Sequence, residues 1–239
     1  MVPGQVILRE SWASSPEIAF REYADSFANR CQRAVIPAGP FLVRYDALVE
    51  VSGESDPVRR DAPQVPPGDL PDETIQFLLP SRYCLPDRLG GAAVDSFGHV
   101  EPGWGQVEAI CRWVHEHLAY TLGSTDSNSD AADVYLQRRG VCRDYAHLAI
   151  SFLRALNYPA RYACGYIPLM GRPLPEEGVD FSAWLEVYLG DRWYVFDPRN
   201  GGALPGRVLI GRGRDAADVA MVTSAGALQL KSMTVWTEA

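Results

Sequence analysis

One stretch constrains this chain more than any other: Cys142 to Asn157, CRDYAHLAISFLRALN, between Gly140 and Pro159. Proline lacks a backbone N–H and restricts the residue before it, so a helix in this stretch ends short of Pro159. Ala146, Ala149, Ile150, Leu153 and Leu156 recur at helical spacing and form an apolar stripe continuous with Cys142. Cys142 therefore stands in the first turn. Unpaired backbone N–H groups and the positive end of the helix dipole favour a thiolate there.

The pattern downstream changes period. Ala160 to Ile167 reads as a strand, and a loop rich in Pro and Gly follows over 168–178. Phe181 to Leu189 alternates, with Phe181, Ala183, Leu185, Val187 and Leu189 facing one way and Ser182, Trp184 and Glu186 the other. Gly190-Asp191 makes a tight turn into Trp193–Asp197, so these last two runs form an antiparallel hairpin. A helix followed by a strand and a hairpin gives an α+β fold.

Upstream, Gln106 to Tyr120 places Val107, Ile110, Cys111, Val114 and Leu118 on one helical face, and a second short helix is expected over 130–139. Phe41 to Val51 alternates with period two, and Ala34-Val35-Ile36 before Pro37 also reads as a short strand. Residues 52–72 are dominated by Gly, Pro, Asp and Ser, and read as a linker or surface loop. The expected organisation is an antiparallel β module with its linker over 1–72 and a larger unit over 73–239.

Composition removes several function classes. The net charge is -8 over 239 residues, which argues against a nucleic-acid partner. No stretch approaches the roughly 18 apolar residues of a membrane span, and the N-terminus lacks the basic and apolar regions of a signal peptide. A cytoplasmic location without membrane association is expected. The cysteines at 31, 84, 111, 142 and 164 are scattered and contain no CxxC pair, which fits free thiols. Cysteines and histidines lack ligand spacing, so neither a metal nor a cofactor is expected.

The segments Gly140-Val141-Cys142-Arg143-Asp144-Tyr145-Ala146-His147, Pro159-Ala160-Arg161-Tyr162, Ala183-Trp184-Leu185-Glu186-Val187-Tyr188 and Phe196-Asp197-Pro198 together resemble the transglutaminase-like superfamily, in particular its bacterial members of cysteine-protease type. The resemblance extends to Pro80-Ser81-Arg82-Tyr83-Cys84, to Gly211–Val219 and to the β region near residues 20–51. It implies a papain-like transglutaminase core over 73–239 and a Cys-His-Asp triad. Cys142 takes the nucleophile position and Asp197 the acid position. The histidine position holds Ser182.

That departure has chemical weight. An imidazole accepts the thiol proton, keeps the thiolate populated and later protonates the leaving group. A serine hydroxyl does neither near pH 7. Losing such assistance typically costs about 10²–10⁴ in rate. His147, five residues on from Cys142, lies about 140° around the helix and points away from the thiol. His115, His117 and His99 are weaker substitutes, since two are on the earlier helix and one is in a loop. Trp184 is expected as a wall of the cleft. Arg143 is expected to contact substrate or to pair with its neighbours.

The resulting expectation is acyl transfer, or hydrolysis of an amide or thioester, through a cysteinyl intermediate at a Cys142-Ser182-Asp197 constellation. The substrate would be a peptide, protein or small acyl compound. Two other readings follow from Ser182: an inactive scaffold that binds a peptide or protein segment, or altered lyase- or cyclase-type chemistry in the same cleft.

Overall fold

A central helix laid on a four-stranded antiparallel sheet organises the protein. The structure, a computed structural model, describes residues 4–167, 181–202, 204–235 and 237. In chain order, β1 (Gln5–Ser15), β2 (Arg21–Ala24), β3 (Arg30–Arg33) and β4 (Leu42–Val51) come first. Next come α1 (Asp72–Ile75), α2 (Pro86–Phe97), α3 (Trp104–His117), β5 (Ala119–Tyr120), α4 (Ala131–Gln137), β6 (Arg139–Gly140) and α5 (Cys142–Ala155). The chain then builds β7 (Ala160–Tyr166), β8 (Ser182–Leu189), β9 (Arg192–Phe196) and β10 (Val208–Gly213). The main sheet has the order β10-β7-β8-β9. Its mixture of helices and antiparallel strands is the expected α+β class. The loop expected over 168–178 lies outside the described residues.

Two burial patterns differ from the sequence expectation. The stripe on α5 predicts one buried face, yet every residue from Asp144 to Arg154 is buried. The helix is enclosed by α2, α3 and α4 on its outer sides and by β7 and β8 on its inner side. β8 reads as one-sided but is buried on both faces: Ala183, Leu185, Val187 and Leu189 join the core, while on the other face Arg207 covers Trp184 and Arg161 and Arg212 hold Glu186. Leu185 pairs with Phe196 and Val187 with Tyr194 on one side, and Ala163 pairs with Trp184 on the other.

The N-terminal region is built from two ribbons. β1 and β4 pair antiparallel from Gln5↔Val51 to Ser15↔Leu42, with an irregularity between Ile7 and Arg9. β2 and β3 form a separate hairpin. Ala34-Val35-Ile36 is not a strand. Val35 is 88% exposed and has no neighbouring strand to pair with, so its β-branched character finds no sheet to join. The Gly- and Pro-rich segment after β4 is also more than a loose linker. Ala62 is buried and its carbonyl accepts the Trp104 N–H, while Pro63 O accepts the Gly190 N–H. Prolines lack N–H groups but keep their carbonyls, so the segment still straps the core through accepted hydrogen bonds.

Polar side chains join the ribbons to the sheet. The Gln5 amide pairs with both backbone groups of Leu209, and Asn29 does the same with Arg212. Asp56 accepts from Arg207 at 2.9 Å.

Candidate active site

Local packing fixes where α5 begins. The Asp144 carboxylate folds back and accepts the Val141 N–H at 2.8 Å, satisfying a donor just before the first turn. Thr125 donates to the same oxygen at 2.6 Å, and Arg143 pairs with the other. A Cβ on Gly140 would sit 2.7 Å from the Asp144 Cβ, so only glycine lets the carboxylate lie here. Cys142 thereby becomes the first residue of a 14-residue helix.

The start of β8 lies against this sulfur. The Cys142 thiol donates to Phe181 O at 3.8 Å, and the Ala183 backbone N–H acts on the thiolate form. Both backbone groups flank Ser182, so the structure brings Ser182 beside Cys142. The Ser182 side chain is buried, and its hydroxyl has no hydrogen-bond partner among the described residues. It bonds neither the thiol nor Asp197.

Asp197 is satisfied elsewhere. One oxygen accepts the backbone N–H groups of Arg199 and Asn200, at 3.1 and 2.9 Å. The other accepts the Asn200 amide at 2.9 Å and Arg207 Nη2 at 3.1 Å. Arg207 also donates to Asp56, and its guanidinium lies 5.0 Å from the centre of the Trp184 ring. Trp184 itself is 1% exposed, so it forms a floor beneath Arg207 rather than an open wall.

Electrostatics on the thiol oppose one another. Burial pushes the Cys142 pKa up, and this effect is the largest. The Arg199 charge and the N–H groups of Ala183 and Arg143 pull it down, while Asp197 pushes it up again. The net direction is upward. No imidazole contributes, so the thiolate depends on the helix start and on Arg199.

The histidines serve other purposes. His147 Nε2 accepts the Ala216 N–H at 3.1 Å, and the ring stacks on Tyr83. Its burial lowers the pKa to about 3, so the ring is neutral. His115 Nδ1 bonds Pro198 O and His117 Nε2 bonds Tyr135 O; both nitrogens donate, since a carbonyl only accepts. His99 is exposed beyond the end of α2. Arg143 is occupied by Asp144, Thr125 and Asp126 O. Cys84 is buried with its pKa pushed up to about 12, and burial raises Cys111 further still. Among the described residues no group of three or more metal-ligating side chains occurs.

Two residues escaped the sequence reading. Arg199 and Arg207 flank the site from the loop after β9, and both are anchored there through Asp197. Arg199 could have been suspected from its place two residues after Asp197. Arg207 follows a Gly-Gly stretch and carries no local pattern. The segments around Pro80–Cys84 and Gly211–Val219 prove to be scaffold. Buried Arg154 near the end of α5 holds Leu79 O, the Ser81 hydroxyl, Ala160 O and Arg214 O. Buried Asp215 accepts the Tyr83 N–H at 2.8 Å.

Comparison with known proteins bears on the family and the fold. The family model described as "Transglutaminase-like superfamily" matches residues 93–198, which include Cys142, Ser182 and Asp197. A solved structure from Cytophaga hutchinsonii, described as a "putative cysteine protease", is 36% identical. The match covers 92% of this chain and 75% of that one, with a TM-score of 0.79. An uncharacterized protein of Mycobacterium leprae is 36% identical over 120 residues, covering 48% of this chain and 42% of its own. One of Mycobacterium tuberculosis is 29% identical over 202 residues, covering 77% and 64%. The chain thus spans about two-fifths to just under two-thirds of the length of these two curated relatives. With a relative this similar matched over three quarters of its own length, and the family model lying over the core helix and the hairpin, the chain belongs to the transglutaminase-like superfamily.

Proposed function

We propose that the protein is a cysteine-dependent acyl-transfer enzyme that acts on acyl donors whose leaving group departs without protonation, such as thioesters. The observation that carries this reading is the surroundings of Cys142. Two backbone N–H groups and one guanidinium charge favour its thiolate, yet among the described residues no titratable side chain is hydrogen-bonded to it. Such a site can form a nucleophile but offers no acid to a departing amine. The Cys142 sulfur attacks the acyl carbon, the carbon–sulfur bond of the donor breaks, and the donor's thiolate leaves. Water or an amine then takes the acyl group from Cys142. The backbone N–H of Cys142, at the first position of α5, is suited to the developing oxyanion. Hydrolysis of amides, the reaction of a protease, would be much slower. A reducing, cytoplasmic setting would keep the thiol free.

The test uses a simple S-acyl thioester and the matching anilide. The thioester is expected to leave an acyl mass on Cys142, and the anilide is not. If neither leaves it, and alkylating Cys142 changes no turnover, the reading is lost. The raised thiol pKa favours the second reading, a cleft that binds a peptide or protein segment without reacting.

A further inference from the structure

We infer that Arg199 makes this cleft selective for acyl donors that carry a carboxylate beyond the reacting carbonyl, such as the half-thioester of a dicarboxylic acid. The inference rests on the acyl-transfer reading and adds a substrate class to it.

Position comes first. The Arg199 backbone is pinned by its N–H on Asp197 at 3.1 Å. Its guanidinium lies 4.1 Å from the centre of the Tyr120 ring. Tyr120 pairs with Gly140 across β5 and β6, and Gly140 stands two residues before Cys142. The charge is therefore held beside the start of α5 by an aromatic face.

Its charge is also uncompensated. Arg143 is neutralised by Asp144, and Arg207 by Asp56 and Asp197. Arg199 makes no ion pair among the described residues, and neither do the exposed Arg138 and Arg139 that lead into β6. A cation held over a ring keeps its N–H donors free for a planar acceptor, and the guanidinium fork matches a carboxylate. Access is open, since Arg199 is half-buried and Tyr120 is 44% exposed. Its charge reaches the sulfur, where it is the largest influence after burial. In a protein of net charge -8, an uncompensated cation beside the nucleophile is a local point of attraction for an anion.

Charge selectivity can be read without turnover. Iodoacetate and iodoacetamide alkylate the same sulfur but differ in charge, and peptide mass spectrometry isolates the Cys142 adduct. Their rate ratio cancels any change in thiolate population. Arg199→Gln is expected to lower the iodoacetate-to-iodoacetamide ratio about three- to tenfold, the effect of one charge several ångström away at intermediate dielectric. Arg199→Lys is expected to keep most of the ratio. In parallel, the kcat/KM ratio of a succinyl over a butyryl thioester is expected to fall by a similar factor in Arg199→Gln. An unchanged alkylation ratio, or an equal loss with both reagents, overturns the proposal and leaves Arg199 as an activator of the thiol only. Failure of every thioester to acylate Cys142 sinks the acyl-transfer reading instead, while the alkylation ratio still decides whether Arg199 selects anions.

Discussion

The two ends of β8 make an instructive pair. Ser182, Trp184 and Glu186 alternate along one face of the strand, and all three are buried. At the far end, Glu186 accepts from Arg212 Nε at 2.7 Å and Nη2 at 2.8 Å, and from Arg161 Nε at 2.6 Å. Burial alone would push its carboxyl up, but Arg212 and Arg161 outweigh that and hold it down. At the near end, the Ser182 hydroxyl has no hydrogen-bond partner among the described residues. A satisfied buried polar group belongs to the framework. The unsatisfied hydroxyl of Ser182 lies instead beside a thiol at a helix start.

The sharpest test of this contrast is Glu186→Gln. The change keeps the shape but leaves two part-buried guanidinium groups facing a neutral amide. Removing one partner of a buried ion pair costs about 3–5 kcal/mol, and the same range is expected in urea unfolding. A loss under about 1 kcal/mol would mean that solvent screens the cluster, and the contrast along β8 would fail.

The next largest effect is chemical. Ser182→His puts a base beside Cys142. General acid–base assistance is typically worth about 10²–10⁴. The lower end, about a hundredfold in anilide or thioester turnover, is expected here, because Asp197 is already held by Arg207 and Asn200 and is poorly placed to orient a new imidazole. The pH at which iodoacetamide labelling of Cys142 rises should move downward. If the labelling profile stays put, the near end of β8 is not aimed at the thiol.

Which parts of this were legible in the sequence follows from the range of each interaction. The helix over α5 and the β8–β9 hairpin were readable because local periodicity and turn residues set them, whereas the pairing of Cys142 with Asp197 was implied only by the family resemblance. The short helix beginning near residue 130 was readable from such local signals too, and the Asp130 side chain caps it by taking the Ala132 and Asp133 N–H groups, two and three residues on. β10 was not seen. Gly211 and Gly213 interrupt its pattern, and it exists because β7 offers an edge, with Gly165 allowing Val208 O to approach closely. Arg207 was equally invisible, since its partners Asp56 and Asp197 come from two distant segments. The clash of Ser182 with the family's triad could be read directly. What replaced the imidazole around Asp197 could not, because that required knowing which loops fold over it.

The opposite side of the sheet gives a third case, half satisfied. His147 uses Nε2 on Ala216 but leaves Nδ1 buried and without a partner among the described residues. Its folded pKa of about 3 lies below the unfolded value of about 6.5. The unfolded chain therefore binds the proton more readily. The stabilisation is fully present above pH 6.5 and is lost as the pH falls towards 3. By pH 5 the loss is about 2 kcal/mol. Glu186 titrates lower, because its unfolded pKa is about 4.5 and its folded pKa lower still, so pH 5 separates the two. His147→Gln should flatten the pH 7 to pH 5 change in unfolding free energy. An unaltered slope would assign the acid sensitivity to another group.

The smallest effect is expected at Ser182→Ala. The hydroxyl makes no hydrogen bond among the described residues, so its removal strands no partner there, whereas cutting Glu186 strands two. Stability should stay within about 0.5 kcal/mol of the parent or rise slightly, because an unsatisfied polar atom leaves the interior. Iodoacetamide labelling of Cys142 should also stay within about twofold, since backbone N–H groups and Arg199, not the hydroxyl, favour the thiolate. A large fall in labelling would show that Ser182 supports the thiolate through a bound water, and the unpartnered hydroxyl would then belong to the working machinery of the site.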